Sequence, residues 1–208
     1  MKLYYSPGAC SLAAHIVLEE IGKPYETELV SSRDGSTRSA SYLGLNPKGR
    51  VPMLNDGDQN ITEATAIMMY LASINPNLNL VDNDPLPLAR TLEWMNWLAT
   101  IHAQIIAQQW RVHRFTDDVA AQAGIQAKGK ANFIEVCRLI DEKIGQSDWA
   151  VGNQYSIADP YLLVFFRWGN RIGLDMKLYK KWTRHALKME QREAVQKVLH
   201  AEGISLWE

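Results

Sequence analysis

Cys10 stands in Tyr4-Tyr5-Ser6-Pro7-Gly8-Ala9-Cys10-Ser11, where a short apolar strand gives way to an amphipathic helix. A thiol at a helix N-terminus faces unpaired backbone N–H groups and the positive end of the helix dipole, and both favour the reactive thiolate. Ala13 occupies the place where a second cysteine would complete a C-x-x-C pair. The site therefore has one sulfur and cannot cycle an internal disulfide, so a working Cys10 needs an external thiol. The same residue also reads as a small hydrophobe packing the strand–helix joint. Its neighbour Ser11 carries a hydroxyl that either caps the helix or donates a hydrogen bond to a thiolate.

Two further segments complement a thiol. Asn46-Pro47-Lys48-Gly49-Arg50-Val51-Pro52 is a loop entering a strand; a cis Val51–Pro52 bond would turn the Val51 backbone outward to pair with a peptide as an added strand. Thr62-Glu63-Ala64-Thr65 lies at a strand-to-helix junction. There the N–H groups of Ala64 and Thr65 are free for a carboxylate, and Glu63 for an ammonium. A thiol, a short peptide backbone and a free amino-acid head in one molecule would satisfy all three segments. Glutathione has that chemistry.

The elements that must hold these residues read as two regions. Leu3-Tyr4-Tyr5 predicts a strand, Ser11 to Ile21 a helix stopped by Gly22, and Tyr25 to Val30 a second strand. Ser31 to Tyr42 predicts a mobile loop or irregular helix. Val51 to Leu54 predicts a third strand, Asn55-Asp56-Gly57 a turn, Asn60 to Thr62 a fourth strand, and Glu63 to Ile74 a helix. The order βαβ then ββα suggests a small mixed sheet carrying helices. Asn75 to Pro85, rich in Asn, Asp and Pro, reads as a linker, which divides the chain into residues 1–78 and 86–208. Beyond it the periodicity is helical. Leu88, Leu92, Met95, Ala99, His102 and Ile106 mark one face of a long helix. That leaves Trp94, Trp97, Gln104, Gln108 and Gln109 outside it as a partner surface. A second helix, about Val119 to Ile144, turns Phe133, Val136, Cys137 and Ile140 inward. Ser156 and Asp159 have capping-box spacing before the apolar run Tyr161 to Phe166, and further helices are expected near Lys177–Lys188 and Arg192–His200.

Composition narrows the function classes. The chain has 208 residues, 47% of them hydrophobic and 22% charged, with a net charge of -1. That balance gives no electrostatic reason to expect nucleic acid or a membrane surface as partner. No apolar run approaches the roughly 20 residues that span a bilayer. The N-terminus reaches Pro7-Gly8 too early for a signal-peptide core, and two cysteines do not make a disulfide framework, so a reducing cytoplasm is the expected location. His15, His102, His113, His185 and His200 lack metal-ligand spacing, and no metal is expected.

With these residues in place the chain resembles a cytosolic glutathione transferase, most of all the bacterial beta class. The resemblance is carried by Pro7 to Leu12, Asn46 to Pro52, Thr62-Glu63 with Ala66-Ile67-Met68, Glu93 to Trp97, Ser156 to Asp159 and Arg167-Trp168. It implies a thioredoxin-like α/β N-terminal domain, an all-α C-terminal domain and a homodimer engaged in detoxification. It further implies that Cys10 approaches the glutathione sulfur, that Val51, with Arg50 and Pro52 beside it, pairs with the cysteinyl backbone, and that Glu63 and Ala64 hold the γ-glutamyl end. Asn96, with the turn around Thr100 and Ala103, would close the site, and Arg33 is the nearest candidate for a basic contact. Ala64 stands where relatives carry Ser or Gly. The family's helix histidine aligns with Ala103, one residue after His102, so His102 is expected to pack in the core stripe. Cys10 and Ser11 remain as candidates to activate the sulfur. Tyr5, Trp110, His113 and Trp168 are candidates for the electrophile pocket. The implied activity is conjugation of the glutathione thiolate to small hydrophobic electrophiles. A thiol–disulfide reductase or peroxidase working through a Cys10 mixed disulfide, and a non-catalytic binding module, are the alternatives.

Overall fold

Leu3 and Leu54 face each other across the centre of a four-stranded sheet in the computed structural model, which describes all 208 residues. The strands are β1 (Lys2–Tyr5), β2 (Glu26–Leu29), β3 (Met53–Asp56) and β4 (Gln59–Thr62), in the order β2-β1-β3-β4. β1 runs parallel to β2 through the crossover helix α1 (Ser11–Ile21) and antiparallel to β3, which pairs antiparallel with β4. Alternation along β1 sends Leu3 and Tyr5 to the main core and Tyr4 to a small cluster with Val30, Tyr42 and Met53. Gly22 ends α1 at φ +69, the left-handed conformation that glycine adopts without strain. β3 starts at Met53, after Val51-Pro52, and its hairpin turn falls at Gly57-Asp58, slightly later than expected. The stretch after β2 is ordered into a 3-10 turn at Ser36–Arg38 and a short helix, α2 (Ala40–Leu45), capped by the Ser39 hydroxyl accepting from the Tyr42 N–H. The helix α3 (Ala64–Ser73) follows β4 and completes a thioredoxin-like layer.

The rest of the chain is helical: α4 (Pro85–Ile101), a π-helical turn (His102–Ile106), α5 (Ala107–Trp110), α6 (Val119–Ile144), α7 (Ala158–Arg171), α8 (Lys180–Glu190) and α9 (Glu193–Glu202). Phe133, Val136, Cys137 and Ile140 of α6 point inward, as their spacing predicts. α7 is buried from Ala158 to Gly169, and its start follows from two residues. The Asp159 carboxylate accepts from the Ser156 N–H at 2.7 Å and the Ser156 hydroxyl accepts from the Ala158 N–H at 3.3 Å. Asp159 also accepts from the Ala150 N–H at 2.7 Å and bonds His185 Nε2 at 2.8 Å. The carboxylate that opens the helix thus also ties the preceding loop and α8 to it. No helix is long and apolar enough to cross a membrane.

The expected face of α4 is corrected. Its buried residues are Thr91, Trp94, Met95, Leu98 and Ile101, while Leu92 is exposed and Leu88 only half-buried. Trp94 is core, its indole donating to the Ala150 carbonyl at 2.7 Å, and so is unavailable to a partner. Gln109 and Gln126 exchange bonds with each other's backbone carbonyls, at 2.8 and 3.1 Å, which binds α5 to α6. The apolar letters Leu88, Leu92 and Ala99 misled because a buried Trp and Thr set the phase instead. Past Ile101 the phase shifts again. Ile101 and Ile106 are both buried, and five residues apart on an α-helix would stand about 140° from each other. An i→i+5 turn brings them back to one side.

Candidate functional site at the start of helix α1

Gly8 sets the geometry of the turn between β1 and α1. Its φ is +66, a conformation that favours glycine, and the Arg167 guanidinium packs against the place a Cβ would take. Its N–H donates to Glu202 of α9 at 2.7 Å, and its carbonyl accepts the Trp168 indole N–H at 2.9 Å. Glu202 also bonds His15 Nδ1 at 2.8 Å within the core. The turn is therefore held from both sides by the helical region. Cys10 follows as the residue before α1, with its sulfur 3.4 Å from the Val51 carbonyl, to which the thiol donates.

The thiol is protonated at neutral pH. Burial pushes its pKa up to about 11, outweighing the field of Arg111 and the Cys10 and Ser11 N–H groups, which act downward. The expectation of a thiolate is overturned because the helix end lies in a desolvated pocket. Ser11 is corrected as well. Its buried hydroxyl donates to the Ser6 carbonyl and accepts from the Ser6 N–H, both at 3.1 Å. Its single proton is donated within the turn, where the hydroxyl plays a structural part.

The Val51–Pro52 bond is cis, and the Val51 N–H makes no hydrogen bond within the chain. The Arg50 carbonyl is held by the Tyr42 hydroxyl and the Asn46 amide, both donating at 2.7 Å, which fixes the loop. Glu63 adopts φ +73 ahead of α3, leaving the N–H groups of Ala64 and Thr65 without intrahelical acceptors. Its carboxylate is exposed and accepts from Lys48 Nζ at 2.6 Å, which also donates to the Thr62 hydroxyl at 2.8 Å. A lysine ammonium thus occupies the place expected for a ligand's ammonium.

From the helical side, buried Trp168 stacks against His102 (centroids 4.8 Å) and meets the half-exposed Trp110 edge-on (5.8 Å). His102 is half-buried and faces this cleft instead of a Leu88-Leu92 stripe. Burial, then the fields of Arg111, Arg50 and Arg114, depress its pKa to about 4, so its ring is neutral. Tyr5 packs on His15 (5.4 Å), and His113 is exposed on a 3-10 turn at Val112–Arg114. Neither touches Trp110 or Trp168 by ring contact. Arg33 is exposed, with only its N–H engaged, on the Ser31 hydroxyl. Asn96, Thr100 and Ala103 are exposed and make no bond to the Cys10 turn; the Thr100 hydroxyl donates to the Asn96 carbonyl. Sequence reasoning missed Lys48, Arg111 and Glu202. Arg111 follows Trp110 directly and was legible as a basic residue among aromatic candidates. Nothing near Glu202 in the chain announces its bond to Gly8.

A thioredoxin-like layer with cis Val51–Pro52 facing Cys10, backed by an all-helical region, is the architecture of a two-part thioredoxin-like fold. Residues 1–73 match the family profile "Glutathione S-transferase, N-terminal domain". Over 98% of this chain and 100% of its own length, "Glutathione S-transferase GstA" of Escherichia coli O157:H7 is 32% identical. A glutathione transferase homolog from Sulfitobacter, solved with bound glutathione, superposes with a TM-score of 0.92 at 30% identity, covering 98% of each chain. The beta-class enzyme of Sphingomonas chungbukensis superposes with a TM-score of 0.87 at 28% identity over 99% of this chain and 100% of that one. The chain belongs to the glutathione S-transferase family.

Proposed function

We propose that the protein binds glutathione against residues 1–78 and conjugates its thiolate to small electrophiles lodged between that region and residues 86–208. The carrying observation is the protonated Cys10 thiol beside Val51, with Arg111 near enough to act on the sulfur. In this reading the Val51 N–H and carbonyl pair with the cysteinyl residue of glutathione. The N–H groups of Ala64 and Thr65 take the γ-glutamyl carboxylate, and Glu63 exchanges Lys48 for the ligand's ammonium. Cys10 turns its S–H from the Val51 carbonyl, which the ligand's cysteinyl N–H takes over, to the glutathione sulfur and stabilises the thiolate, whose proton passes to solvent. The sulfur then bonds to the electrophilic carbon beside Trp110 and Trp168 as the leaving group departs with its electron pair.

A neutral Cys10 supports conjugation over a mixed-disulfide mechanism, which needs a Cys10 thiolate. The exposed residues Leu92, Asn96 and Thr100 of α4, with Ala103 and Gln104 of the π-helical turn that follows, support a homodimer that brings Asn96 and Thr100 to the partner's site. Parallel turnover assays with 1-chloro-2,4-dinitrobenzene and a small mixed disulfide, each at saturating glutathione, test the reading. Conjugation well above the uncatalysed rate is expected; turnover of the disulfide alone would assign the protein to reduction, and failure to bind glutathione in calorimetry would leave a non-catalytic module.

A further inference from the structure

Arg38, Arg50, Arg111 and Arg114 form no ion pair with any carboxylate of the chain, whereas Lys48 at the start of α3 is paired with Glu63. They come from both walls of the cleft. The Arg38 guanidinium lies over Gly49, where a Cβ would meet it at 2.9 Å, and Arg50 follows one residue before the carbonyl that accepts from Cys10. Arg111 and Arg114 bracket the 3-10 turn after Trp110, whose ring meets Trp168. The four are close enough to repel: burial first, then Arg111, Arg50 and Arg38, makes Arg114 harder to keep protonated. Like charges gathered without counter-charges are held against their own repulsion, and an anion in the cleft relieves it.

Glutathione supplies two carboxylates. The γ-glutamyl one goes to the start of α3 in the reading above, and the glycyl one is matched by Arg38 or Arg50 on the Val51 wall. Arg111 and Arg114, on the aromatic wall, are then left without a partner. We propose that these two arginines form an anion subsite for the second substrate, so that the preferred electrophiles carry a carboxylate or similar anionic group beside the carbon attacked. The inference rests on the conjugation reading and names its substrate class. The apolar rings of Trp110 and Trp168 take the body of the electrophile, and the paired guanidinium groups take its acid group in bidentate fashion.

Product binding tests this without turnover. S-(4-carboxy-2,6-dinitrophenyl)glutathione and its aryl methyl ester differ by one charge at the electrophile end. Calorimetry at low salt should show the acid binding about tenfold or more tightly, an advantage of about 1.4 kcal/mol. Raising the salt to about 0.5 M should erode the gap, and Arg111→Gln and Arg114→Gln should each reduce it to threefold or less. The same pair built on γ-glutamylcysteine, which has no glycyl carboxylate, should keep the advantage. Loss of the advantage there would mean that the arginines read glutathione, and would overturn the inference. Equal affinity of acid and ester in the wild type would overturn it as well, even with dinitrobenzene conjugation intact. Acid preference without any conjugation would support the subsite while removing the transferase reading.

Discussion

Cys10 and His102 are each held in their neutral forms by the cleft, and both effects are measurable. With a pKa near 11 against the ordinary value of 9.0, Cys10 at pH 8 has a thiolate fraction about a hundredfold below that of a free cysteine. Iodoacetamide alkylation followed by intact mass should therefore be slow, and slower still in Arg111→Gln, because a favourable positive field is removed. Alkylation at the rate of a free thiol would show that the helix end, and not burial, governs the sulfur. For His102 the folded pKa is about 4 and the ordinary value 6.5, so on acidification the unfolded chain takes up the proton first. The stability held by its neutral ring is complete above pH 6.5 and is lost as pH falls toward 4, by at most about 3 kcal/mol. Thermal melts between pH 7 and 4 should fall less steeply for His102→Phe than for the wild type. Parallel curves would refute the assignment.

Among elements, α7 shows best how local letters become tertiary structure. Asp159 joins the Ser156 and Ala150 N–H groups and His185 while fully buried. Asp159→Ala should cost about 3–5 kcal/mol by urea unfolding, since several buried donors lose one acceptor. A loss under 1 kcal/mol would mean that the loop and α8 repack around the gap. This helix start was readable because a capping box is a local signal, as were the bounds of α1 and α6. The sheet was readable from strand alternation and from Gly22, and the thiol, the Val51-Pro52 loop and Glu63 from motifs that stay close in the chain. What escaped depends on distance or competition. The phase of α4 was set by Trp94 and Thr91, residues whose burial is decided by Ala150 and the neighbouring helices. The protonation of Cys10 was decided by desolvation, which no spacing reveals. Ser11 was ambiguous until Ser6 was seen to hold both its hydrogen bonds.

At the scale of the whole molecule, the first turn and the last helix form one unit. Glu202 receives the Gly8 N–H and His15, Arg192 grips Glu20 through two bonds of 2.6 and 2.8 Å, and Lys197 reaches Glu19 at 3.3 Å. Glu202→Ala should lower stability by about 3 kcal/mol or more and speed amide exchange at Gly8, whereas Glu202→Gln, which keeps an acceptor, should lose less. Unchanged exchange at Gly8 in the alanine variant would show that Trp168 alone holds the turn. The pairing also orders events in time. Gly8 and Glu202 are separated by 194 positions, so at 5–20 residues per second the ribosome makes the second about 10 to 40 s after the first. Through that interval the nascent thiol turn lacks its carboxylate clamp, however early the sheet around it forms. The pocket earliest in the chain is among the last parts to be finished, and a protein cut short before α9 would emerge with its sulfur in place but its turn unfastened.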